Sequence, residues 1–148
     1  MRRVIDNDLL TLLFRLAVGI TFIYASYYKI VEPLTFARSI WYYHMVPGNL
    51  INLMALILPW IELICGLLLI AGVYYRGAVV WANIMVIIFI IALTTAIARG
   101  ISIDCGCFKA SEGSAESAWH SLWFDFGLIV LTVWLWLSRS RRWMLSGA

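Results

Sequence analysis

Two cysteines set one glycine apart, in Asp104-Cys105-Gly106-Cys107-Phe108, are the residues of this chain best suited to chemistry. Cys105 and Cys107 can close a very small disulfide ring, because Gly106 lacks a Cβ and accepts dihedrals that other residues avoid. A strained, exposed disulfide is more oxidising than a structural one and exchanges with other thiols. Lys109 nearby favours the thiolate and Asp104 disfavours it, which leaves the net direction open. Two other readings compete with exchange: a soft-metal site, and two thiols packed against Phe108. The third cysteine, Cys65, lies in an apolar run and reads as a small apolar filler, with a resolving or relay thiol as the alternative.

Three ionisable residues also fall inside apolar runs: Arg15, Glu62 and Asp125. A charge at the centre of a bilayer costs about 3 kcal/mol or more, so each needs a partner or a function. Counting depth along the helices puts Arg15 in the inner half of the membrane, Glu62 near the middle and Asp125 in the outer half. The expectation is an Arg15–Glu62 ion pair, either a clamp between two spans or part of a polar pocket. For Asp125, Tyr24, His120 or Lys29 is the expected hydrogen-bond partner. His44 and His120 read as interfacial residues, since neither has a second metal ligand at a recognisable spacing.

The elements that must position these groups are membrane helices. Of 148 residues 64% are hydrophobic and 13% charged, far from the soluble average of roughly half and a quarter. The net charge of +3 is too small to point to nucleic acid, and its basic residues gather at the ends of apolar runs. The hydropathy pattern gives an all-α fold: a four-transmembrane-helix bundle, single-domain over 1–148, with spans at about 9–29, 50–75, 78–98 and 118–138. The first run is read as an uncleaved span. Tyr24, Tyr27, Tyr28 and Lys29 at its end have the composition of an interface belt.

Between the first two spans, about 33–46 is expected as a short amphipathic interfacial helix. Phe36, Ala37, Ile40, Trp41 and Tyr43 would form one face, and Thr35, Arg38, Ser39 and Tyr42 the other. Pro33 starts it, and Pro47-Gly48-Asn49 ends it. Pro59 predicts a kink within the second span, and a turn is expected at Tyr75-Arg76-Gly77. The cysteines occupy a polar loop at about 99–116. Arg2, Arg3, Arg76, Arg139, Arg141 and Arg142 lie on one side of the bundle, against Lys29, Arg38, Arg99 and Lys109 on the other. That excess puts both termini in the cytoplasm and the loop outside, where disulfides persist.

The runs Arg15-Leu-Ala-Val-Gly19, Tyr28-Lys29-Ile-Val-Glu-Pro33, Glu62-Leu-Ile-Cys-Gly66 and Gly72-Val-Tyr-Tyr-Arg76 resemble the DoxX-like membrane proteins. The loop Ile103-Asp-Cys-Gly-Cys-Phe108, with an aspartate in the last span, is similar more narrowly to the methylamine-utilisation, or MauE, branch. The usual loop continues with glycine after the phenylalanine, where this chain has Lys109. The resemblance implies a bundle in the bacterial cytoplasmic membrane, thiol-disulfide chemistry outside the cytoplasm, and a thioredoxin-like partner. The expected function is exchange through Cys105 and Cys107, supported in the loop by Asp104, Gly106, Phe108 and Lys109. No cysteine is placed at the cytoplasmic face, so a quinone near Asp125, or another subunit, would close the cycle. The alternatives are an assembly or anchoring subunit of a larger membrane complex and a transporter of a thiophilic metal.

Overall fold

A computed structural model describes residues 8–100 and 115–138. They form five helices: α1 (Asp8–Val31), α2 (Pro33–Tyr43), α3 (Gly48–Ala71), α4 (Tyr75–Ala98) and α5 (Ala115–Leu137). All but α2 contain a stretch long and apolar enough to cross a membrane, so the chain is a multi-pass membrane protein. Its surface agrees with that reading. Leu9, Leu34, Trp123, Val130 and Trp136 are more than half exposed, a distribution that water would penalise and lipid rewards.

Two contacts set the bundle. The most extensive is α1 against α3, brought close by facing glycines. A Cβ on Gly66 would lie 2.9 Å from the Gly19 carbonyl oxygen, and one on Gly19 would lie 3.0 Å from that of Gly66. Small residues at such a crossing let two membrane helices approach through their backbones. The second contact, α4 against α5, is held partly by polar bonds: Thr132 Oγ1 donates to Asn83 Oδ1 at 2.9 Å, and Tyr75 Oη to the Leu135 carbonyl at 2.7 Å. Val18, Phe22, Leu69, Val79, Met85 and Leu135 fill the apolar core among these four helices.

The connections differ in detail from the expected ones. The second span stops at Ala71, because Gly72 takes a left-handed conformation (φ 71°) and its N–H caps Leu68 O at 2.8 Å. Tyr74 is left-handed too (φ 47°). The turn is therefore 72–74, and Tyr75-Arg76-Gly77 begin α4. Helix α3 runs unbroken through Pro59, as a membrane proline permits.

The short helix α2 starts at Pro33 as expected and ends at left-handed His44. Its buried face is Phe36, Ser39, Ile40 and Tyr43, whereas Trp41 is 57% exposed. The expected face thus loses Trp41 and gains Ser39. Phe36, Ile40 and Tyr43 already supply the i, i+4, i+7 stripe, and Ser39 lies inside it with its hydroxyl satisfied by the Thr35 carbonyl. Phe36 and Ile40 pack on Ile51 and Ala55 of α3, and Tyr43 on Ala92 and Ala96 of α4.

Candidate functional site

The cysteine loop, with Asp104, Cys105, Gly106, Cys107, Phe108 and Lys109, lies outside the described residues, but both its attachment points are described. Helix α4 ends at Ala98 and is capped by Arg99, whose Nη1 donates to the Tyr43 carbonyl at the end of α2 at 3.3 Å. Gly100 follows with φ 69°. Leu93 of α4 packs with Leu122 of α5, so α5 runs back antiparallel from the same end. The chain therefore leaves and re-enters the bundle for residues 101–114 at the end that α2 covers.

Beneath that end lies the strongest polar contact of the described residues. Lys29 Nζ donates to both Oε1 and Oε2 of Glu62, each at 2.8 Å, with Lys29 1% and Glu62 3% exposed. The ammonium also lies 4.3 Å from the ring centroid of Phe89 and 5.1 Å from that of Phe36, where the ring quadrupoles add attraction. The pair is thus a junction of α1 and α3, roofed by α2 and walled by α4. Asp125 joins it from α5. Glu62 and Asp125 line one cavity of about 20 Å³ together with Thr21, Phe22, Phe89 and Leu128. A space of that size is enough for one water. Counting the helix rise, Phe89 is about 13 Å below Ala98, which gives the depth of this centre under the loop end.

Arg15 is not part of it, and the expected Arg15–Glu62 pair is corrected. The Arg15 Nε donates to the Leu69 carbonyl at 3.0 Å and Nη2 to that of Ile70 at 3.2 Å, with the guanidinium 5.5 Å above the Tyr75 ring. The reason is directional. Side chains lean toward the N-terminus of their own helix, and α1 and α3 are antiparallel, with Gly19 opposite Gly66. Arg15 therefore leans away from Glu62, toward the open carbonyls that end α3. Lys29, sited nearer the end of α1, leans back into the membrane as Glu62 leans out to meet it. Lys29 was expected in the interface belt beside the tyrosines; the same lean explains its burial. Depth alone matched Glu62 with the wrong cation.

Cys65 is 4% exposed, and its Sγ donates to the Ala78 carbonyl at 3.1 Å. Ala78 is about 30 Å along α4 from Ala98, so this thiol belongs to the end of the bundle remote from the loop attachments. His120 and His44 are exposed. Among the described residues no three His, Cys, Asp or Glu side chains gather as a metal site would require.

No curated protein and no solved structure matches the sequence. Residues 7–138, which take in all five helices and the whole cysteine loop, match the model of the methylamine utilisation protein MauE. The chain belongs to the MauE family.

Proposed function

We propose that this protein carries out thiol-disulfide exchange through Cys105 and Cys107 with a thioredoxin-like protein outside the cytoplasm, as a component of a redox pathway such as methylamine utilisation. The observation that carries the reading is the Cys-Gly-Cys spacing in the one long polar interval between two apolar helices, inside the family match. In the exchange, a thiolate of one protein attacks a disulfide sulfur of the other, forming a mixed disulfide and releasing one thiolate. The neighbouring cysteine then attacks the mixed bond, so that one protein leaves as the dithiol, the other as the disulfide, and two electrons have passed.

The topology that goes with this reading has both termini in the cytoplasm, in a bacterial inner membrane. Burial of Lys29 in an ion pair takes it out of the outer charge count and leaves Arg38, Arg99 and Lys109 against the six inner arginines, which widens the bias. The wider DoxX-like relationship belongs to the same proposal. A quinone near Asp125, or another subunit, closes the redox cycle in this reading. The second redox partner then comes from outside this chain.

The test is covalent capture. In a Cys65→Ser background, Cys105→Ser and Cys107→Ser are made separately, and at least one is expected to accumulate a reductant-sensitive complex with a thioredoxin-like protein while the parent shows little. Metal-dependent protection from alkylation would favour the transporter reading. Unchanged membrane levels with an oxidised pair and no captured protein would favour an anchoring subunit.

A further inference from the structure

A cavity of about 340 Å³ forms a groove between α3 and α4 at the end remote from the loop attachments, lined by Ile61, Cys65, Leu68, Tyr74, Gly77 and Trp81. It opens along two spans, so its occupant comes from the bilayer. Its walls are aliphatic or aromatic, and the one thiol is turned to the Ala78 carbonyl, so they suit a hydrocarbon chain better than a polar ring. The wall is open at Gly77, where an added Cβ would meet nothing within 4 Å. Exposed Arg76 stands in the chain between lining residues Tyr74 and Gly77 and makes no ion pair among the described residues.

We propose that this groove seats one acyl chain of an anionic phospholipid whose phosphate is held at Arg76. Arg76, in the first turn of α4, lies at the end of the bundle where α1 begins and α5 ends, the cytoplasmic side in the topology proposed above, where anionic lipid and basic side chains attract. This inference rests on the topology proposed above and not on the cysteine chemistry, so loss of lipid preference and failure of covalent capture are separate outcomes.

The experiment uses the full-length protein in nanodiscs of equal phosphatidylglycerol and phosphatidylethanolamine, released into detergent and weighed with its retained lipid by native mass spectrometry. The wild type is expected to keep one phosphatidylglycerol in preference to phosphatidylethanolamine. Arg76→Gln should lower that preference about fivefold, the factor that about 1 kcal/mol per basic residue corresponds to. Gly77→Phe, whose Cβ would meet nothing within 4 Å, puts a ring into the groove and should lose the lipid while thermal unfolding stays at the wild-type temperature. Equal retention of the two lipids by the wild type, undiminished retention by Gly77→Phe, or a quinone retained in place of phospholipid would each overturn the proposal. If Gly77→Phe is poorly produced, the wild-type selectivity and the Arg76→Gln comparison still decide it.

Discussion

Helix α1 carries two buried cations, and the bundle treats them in opposite ways. Arg15 is spent on the backbone: it donates to Leu69 and Ile70 carbonyls, which lack intrahelical partners because α3 ends there. That is the work of a cap, and it fixes the α3–α4 turn against α1. Lys29 is spent on a titratable side chain, and the Glu62 it binds shares a water-sized cavity with Asp125. Ionisable side chains from three helices, gathered at one depth under the loop end, cost far more than a cap requires. The contrast teaches that burial of a charge in this bundle has two meanings: Arg15 fastens the end of α3 to α1 through the backbone, and Lys29 ties α1 to α3 through a buried ion pair beneath α2.

The largest effect expected to sharpen this contrast is at the ion pair. Lys29→Met or Glu62→Leu alone leaves one buried charge without its partner and should cost about 3–5 kcal/mol, seen as lost yield or a lowered unfolding temperature in detergent. The double variant should recover most of that loss, while pairing Glu62→Leu with Arg15→Met should recover none. Recovery by the Arg15 combination would break the assignment of two separate roles. A smaller effect is expected at the helix crossing that sets the register between them. Gly66→Ala places a Cβ against the Gly19 backbone and should cost about 1–3 kcal/mol, whereas Gly127→Ala, with nothing within 4 Å, should be neutral by the same assay. The smallest is Thr132→Ala, which removes the bond to Asn83; interhelical bonds of this kind average about 0.6 kcal/mol. A loss comparable with that at Lys29 would show that polarity between α4 and α5 matters as much as the ion pair.

The helices themselves were legible in the sequence, because four long apolar runs admit few other structures in lipid. Glu62 and Asp125 were legible as unusual for the same reason. Their company was not. Lys29 sits among tyrosines near the end of a span, where a lysine ordinarily snorkels to water, and only the antiparallel register set by Gly19 and Gly66 turns it inward. The signal available was directional: a residue near the C-terminal end of a span leans back into the membrane, so Lys29 was the cation to match with Glu62. The buried face of α2 was half legible. Its apolar stripe was read, but the exposure of Trp41 depends on which side of that stripe meets α3.

The reduction potential of the Cys105–Cys107 pair tests the central claim most directly. It would be measured on the full-length Cys65→Ser protein in nanodiscs, equilibrated in graded glutathione buffers, with free thiols counted by mass after alkylation. An exchanging pair should titrate as a two-electron couple at a potential less negative than about −300 mV. A disulfide that stays oxidised below about −300 mV would be a structural staple. That result, or the absence of any Cys105–Cys107 bond under oxidising conditions, would contradict the exchange reading.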